Sequence, residues 1–122
     1  MILTFSKIEF RNKYLECTKI HTIRGDKFGR WKEGMKIHLW LHNPRNKSKN
    51  PYCFGNEKCI SIQYIGIEPF KRQIGVDGNY LTSGQIQRLI KNDGFDDERE
   101  FWEWFNKPFY GIIIHWTNTK YQ

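Results

Sequence analysis

Lys19 and Thr22 stand three residues apart in the run Lys19-Ile20-His21-Thr22-Ile23-Arg24, and together they hold the parts of an activated nucleophile. A threonine hydroxyl attacks a carbonyl only when a neighbouring base takes its proton. A lysine serves as that base only when its pKa is lowered, by desolvation or by nearby cations. Arg24 and Arg30 supply such cations. The combination fits acyl transfer or amide hydrolysis, but Lys-x-x-Thr unaided is a very weak signal. Residues three apart also point to opposite faces of a regular strand. The pair meets only if Lys19 lies in the turn before the strand, or if the strand is bulged.

Polar chemistry is concentrated between Lys19 and Trp40, where Lys19, His21, Thr22, Arg24, Arg30 and Lys32 fall within a short span. A strand pair that only built core would not need them, so this stretch should line a surface or cleft. Other catalytic templates are missing: there is no Gly-x-Ser-x-Gly elbow, no Walker loop and no dinucleotide glycine pattern in the right setting. His21, His38, His42 and His115 make no recognisable metal motif, and Cys17, Cys53 and Cys59 have no Cys-x-x-Cys spacing. The residues therefore call for neither a metal nor a cofactor.

The chain has 122 residues, a length suited to one domain over 1–122, and its 16% aromatic content can supply a core economically. The net charge of +7 is one-sided. Residues 1–50 hold 12 Lys and Arg against 4 Asp and Glu, whereas residues 51–122 hold 8 against 9. A one-sided basic field attracts polyanions, nucleic acid above all; the plainer alternative is a lysine-rich soluble surface. No apolar run is long enough to cross a bilayer, and the first ten residues lack a leader pattern. The expectation is a cytoplasmic protein with no membrane partner, and a monomer.

Several elements must hold the Lys19 stretch in place. Ile2, Leu3 and Phe5 make a short strand, and Ser6 with Glu9 has the spacing of a capping box, predicting a helix from about Lys7 to Glu16. Ile20 to Arg24 favours extended structure. After a turn rich in glycine, Lys36 to Leu41 alternates apolar and polar residues, so two strands joined by a basic loop are expected. Asn43 to Pro51 reads as an exposed loop. Its Arg45, Lys47 and Lys49 either grip phosphates or only solvate it. Cys59 to Ile67 and Phe70 to Val76 read as strands, with Asp77-Gly78 a hairpin turn. Thr82 and Gln85 form a second capping box, Gly94 ends the helix that follows, and Asp96 is placed to cap the next. Phe101, Trp102, Trp104 and Phe105 read as core rather than a base-stacking platform. Phe109 to Trp116 suits a strand buried on both faces.

Taken together, the Lys19-Ile-His-Thr22-Ile-Arg24 element, the Arg30-Trp31-Lys32-Glu-Gly34 turn, the strand Ile37 to Trp40, Arg45 with Lys47, Cys59 and the Asp93-Gly94-Phe95 element resemble the ASCH domains of the PUA-like superfamily. The resemblance runs from about Ile2 to Trp116, and small stand-alone members look much like this. It implies an α+β fold: a small, mostly antiparallel β-barrel with helices packed at its open end. It also implies a positively charged cleft for RNA or a modified nucleoside. Some small ASCH proteins are amidohydrolases that remove the acetyl group from N4-acetylcytidine with a Lys, a Thr and a Glu. By motif, Lys19 is then the base, Thr22 the nucleophile and Asp93 the acidic group, one methylene shorter than the family's Glu. Arg24 would orient substrate, Trp31 or Trp40 would flank a base, and Arg30, Lys32, Arg45 and Lys47 would hold nucleic acid. Two other readings stay open: a nucleic-acid-binding module without chemistry, and an adaptor with an aromatic protein-binding surface. In the first, Arg24 joins Arg30, Lys32, Arg45 and Lys47 in holding the nucleic-acid backbone; residue by residue, the plainer alternative is that Asp93 only ends its helix, the two tryptophans are core, and Arg24 pairs with Asp26.

Overall fold

Two β-prone runs far apart in the chain lie side by side at the centre of the molecule. The computed structural model describes residues 1–122 and contains, in order, β1 (Ile2–Phe5), α1 (Ile8–Leu15), β2 (His21–Arg24), β3 (Lys36–Leu41), β4 (Tyr52–Lys58), β5 (Ser61–Glu68), β6 (Gln73–Val76), β7 (Asn79–Tyr80), α2 (Ser83–Asn92), α3 (Glu98–Trp104) and β8 (Phe109–His115). The central pair is β5 with β8, antiparallel, with Ser61 opposite His115 and Ile67 opposite Phe109. Around it grows a five-stranded sheet in the order β2-β8-β5-β6-β7. A second sheet of three strands has the order β1-β3-β4. All pairings are antiparallel except that of β1 with β3. The α+β expectation holds, with strands divided between two sheets.

The apolar pattern explains the layering. Ile37, Leu39 and Leu41 on β3 are buried while Lys36 is exposed, so one face of the small sheet builds core. On β8 the run Ile112, Ile113, Ile114 is buried on both faces, as its unbroken apolar sequence requires. Helix α2 buries Ile86, Leu89 and Ile90 along one stripe, and α3 buries Phe101 and Trp102. These apolar residues, Leu41 excepted, belong to one cluster of 25 buried side chains.

Local signals behave unevenly. The Thr82 box forms: its hydroxyl accepts from Gln85 N at 3.3 Å, and the Gln85 side chain accepts from Thr82 N at 2.9 Å. The Ser6 box does not form. Helix α1 is capped by Lys7 with no side-chain bond, so Glu9 falls one position too early to reach back. Asp97, not Asp96, caps α3 by accepting from Glu100 N at 2.9 Å, and Asp96 pairs with Lys13 instead. Asp77 and Gly78, at φ 50° and 85°, make the tight β6–β7 turn. The two strands flanking the basic loop, β2 and β3, lie in different sheets rather than against each other. Tyr52–Lys58 is an edge strand that sequence reading missed, because YCFGNEK has no clean alternation and both its ends are exposed.

Candidate functional site

The site is set by how α1 and α2 end. After Leu15 the chain turns through Cys17, at φ 63°, and Lys19 lies in this turn before β2 begins at His21. That is the arrangement in which a lysine and a threonine three apart can share a cavity. Helix α2 ends in a Schellman motif: Phe95 N donates to Ile90 O at 3.2 Å and Gly94 N to Lys91 O at 3.0 Å. Gly94 takes φ 100°, and a Cβ there would lie 3.0 Å from the Phe10 ring and 3.1 Å from Lys19 Cδ. The glycine therefore ends the helix and also lets the lysine stem pass, which leaves Asp93 beside the amine.

Lys19 is 3% exposed and Asp93 4%. Lys19 Nζ donates to the backbone oxygens of Asp93 and His21, at 2.6 and 2.9 Å, and lies 3.6 Å from Asp93 Oδ1. The rings of Phe5 and Phe10 flank it at 5.3 and 5.0 Å. Burial pulls its pKa down to about 8; the Asp93 carboxylate resists that fall and Arg24 adds to it. Desolvation is thus the main cause of the lowered lysine pKa.

Thr22 and Arg24 project from the same face of β2. Arg24 Nη2 donates to Thr4 O at 2.7 Å, bridging the edge of β2 to the edge of β1. Its Nε lies 3.4 Å from Thr22 Oγ1, which takes no other hydrogen bond. Burial lowers the Arg24 pKa as well. Lys19, Thr22, Arg24 and Asp93 all line one cavity of about 310 Å³, walled by aromatic side chains from α1, α3 and the chain between the two later helices. Four of the residues singled out in sequence therefore converge.

The other six do not reach this cavity. Trp31 is buried in the core, so it cannot flank a ligand there. Trp40 is half-buried on the face of β3 opposite Ile37 and Leu39, beside Thr4 on β1 and Cys53 on β4. Arg30, Lys32, Arg45 and Lys47 are exposed on the connections flanking β3. Asp26 accepts from the backbone of Arg30 and Trp31, at 2.8 and 3.0 Å, and so shapes the turn rather than pairing with Arg24.

Sequence reading also missed a buried polar chain behind Asp93. His21 Nδ1 lies 3.1 Å from Asp93 Oδ1, and His21 Nε2 lies 2.6 Å from the Tyr121 hydroxyl. Burial lowers the His21 pKa, so the ring is neutral, with Nδ1–H donating to the carboxylate and Nε2 accepting from Tyr121. Asn92 Nδ2 donates to the same hydroxyl at 3.0 Å, and burial pushes Tyr121 up to about 12. Gln63 holds the Tyr121 backbone at both ends, through N at 2.9 Å and O at 2.7 Å. Only the position of His21 inside the Lys-x-His-Thr run hinted at this, since Tyr121 is remote in sequence.

The arrangement can bind a small polar, planar molecule between aromatic walls and can place a hydroxyl, a desolvated amine, a guanidinium and a carboxylate around it. No protein-family model matches the chain, and neither a curated protein nor a solved structure does.

Proposed function

We propose that the chain is a PUA-like protein of the ASCH type, its two sheets forming the halves of the barrel, and that the cavity cleaves the amide of an N4-acylated cytidine. The observation that carries this reading is the convergence of Lys19, Thr22, Arg24 and Asp93 on one cavity of about 310 Å³, near the small end of the range for ligand sites. The sequence resemblance supplies the substrate class.

In the proposed reaction Thr22 Oγ1 attacks the acetyl carbonyl carbon and its proton passes to the neutral Lys19 amine. A neutral amine has two N–H groups and one lone pair. The backbone oxygens of His21 and Asp93 occupy the two donors, leaving the lone pair as the group's free valence. Arg24 faces the negative charge that develops on the carbonyl oxygen. Collapse breaks the C–N bond, the Lys19 ammonium returns its proton to the departing N4, and cytidine leaves. Water then hydrolyses the threonyl ester, releasing acetate and restoring the hydroxyl. Asp93 keeps the amine in place and limits the fall of its pKa; His21 and Tyr121 act as positioning residues for Asp93.

A second reading has its own observation. The Lys19 amine forms both its hydrogen bonds with backbone oxygens and none with Thr22, which suits a structural ammonium in a nucleic-acid-binding module. The exposed Arg30, Lys32, Arg45 and Lys47 would then hold phosphates, and binding would weaken steeply with salt. Release of acetate from N4-acetylcytidine, followed in the native protein, Lys19→Ala and Thr22→Val, separates the two. Turnover lost in both variants is expected. Equal background rates in all three proteins would exclude the hydrolase for this substrate.

A further inference from the structure

The five-stranded sheet carries a second concavity, lined by residues of β5, β6, β7 and β8. Tyr110 on β8, Gly66 on β5, Gly75 on β6 and Tyr80 on β7 lie in one row across four strands. With neighbouring strands about 4.8 Å apart, the two tyrosine backbones stand about 14 Å from each other with two glycines between them. The Tyr110 ring leans over Gly66, where a Cβ would meet it at 3.2 Å, and the Tyr80 ring lies near Gly75, at 3.8 Å. Along β5, Tyr64 and Glu68 sit two residues either side of Gly66 and so share its face. The trough these residues line measures about 420 Å³.

Covering glycines is a structural use for an aromatic ring, but it engages one face only. Tyr64, Tyr80 and Tyr110 remain 71%, 68% and 72% exposed, so most of each ring is open to a ligand. The charge in the trough narrows the choice of ligand. No Lys or Arg lines it, in a protein whose net charge is +7, and Glu68 is its only formal charge. Glu68 Oε2 is buried without a hydrogen-bond partner, and the protein's ion pairs all lie elsewhere. Ring faces carry the negative end of the aromatic quadrupole, so rings and carboxylate favour the same sign of ligand. A phosphate-bearing ligand would meet an unanswered carboxylate there.

We propose that this trough binds a small methylated ammonium ion, held over the faces of Tyr64, Tyr80 and Tyr110 and opposite the unpaired Glu68. Tyrosine rings supply cation–π attraction to a cation whose charge is spread over methyl groups and which needs no hydrogen-bond acceptor. Glu68 adds a charge that no protein cation neutralises. The site is independent of Lys19 and Thr22.

The test is calorimetric titration of the full chain with choline and with 3,3-dimethylbutanol, which has the same shape without the charge. Choline should bind at least about tenfold more tightly than the neutral isostere. Glu68→Gln should weaken choline several-fold, leave the isostere unchanged and leave amide hydrolysis unchanged. Tyr80→Leu and Tyr110→Leu should abolish choline binding, whereas Thr22→Val should retain it. Equal affinity for choline and its isostere would overturn the proposal, and so would no choline binding at all. Tighter binding of a neutral pyranoside or a short single-stranded oligonucleotide, lost in the tyrosine variants, would also overturn it and reassign the trough. Because the choline comparison is made in the native protein, it does not depend on how any variant folds.

Discussion

The two ends of the five-stranded sheet handle polarity in opposite ways. At the β2 edge, charged and polar groups are buried and answer one another: Lys19 meets Asp93, Asp93 meets His21, and His21 meets Tyr121. Toward the β7 end, three tyrosines, on β8, β5 and β7, stand in solvent and Glu68 has no partner among the protein's ion pairs. At the first end a substitution is costly to the fold, because removing one member of a buried network leaves another charge or donor unanswered. At the second, the three tyrosines are mostly exposed, so replacing one is expected to cost the fold little.

The largest effect is expected from Thr22→Val. The hydroxyl takes only the long bond from Arg24, so the isosteric change should leave the denaturation midpoint nearly unmoved. Deacetylation of N4-acetylcytidine should fall by about 10³-fold or more. A variant as active as the native protein would remove Thr22 from the chemistry. Asp93→Asn should come next, costing about 3 kcal/mol in urea denaturation, because a buried ammonium loses its counter-charge. A cost below about 1 kcal/mol would mean that the network is solvated and the contrast between the two ends overstated.

A pH effect of similar or smaller size follows from Lys19. Its folded pKa of about 8 lies below the ordinary 10.5. Between those values the unfolded chain holds a proton that the folded chain has released, so stability should rise with pH across that window, by at most about 3 kcal/mol. Tyr14 and Tyr121, both pushed up to about 12, work the other way above pH 10. Chemical denaturation between pH 8 and pH 10 should therefore show the rise, and Lys19→Met should abolish it. Turnover should climb about tenfold per pH unit below about 8 and then level off as the amine becomes neutral. The smallest changes are expected at the surface. Lys13→Met, which breaks an exposed pair with Asp96, should cost under about 1 kcal/mol. Tyr80→Leu should change stability by no more than about 0.5 kcal/mol.

What was legible in sequence follows from how local each signal is. The Thr82 box, the Asp77-Gly78 turn, the Gly94 stop and the apolar centre of β8 are decided within a few residues, and all four appear where they were read. Lys19 and Thr22 share a cavity because a turn before a strand resolves the spacing problem, whereas Asp93 was offered only by the Asp-Gly-Phe resemblance, and it is the end of α2 that sets it beside the amine. Sheet membership was not legible, since β2 and β3 separate according to long-range partners, β8 for one and β1 with β4 for the other. Trp31 was offered to a ligand, yet burying a large apolar ring in the core won. The Ser6 box failed by one residue of helix register. His21 could not be assigned, because the hydroxyl that donates to it and the carboxylate that accepts from it come from distant parts of the chain.

The hydroxyl that holds His21 from behind belongs to a residue 100 positions downstream. During synthesis, strand β2 leaves the ribosome long before Asp93, its sheet partner β8 or this anchor has been made, so neither ring nitrogen has its partner until late in the chain. The pocket is accordingly among the last parts of the molecule to mature, and a shortened chain lacking Tyr121 should assemble its sheets while leaving the carboxylate that steadies Lys19 loosely held.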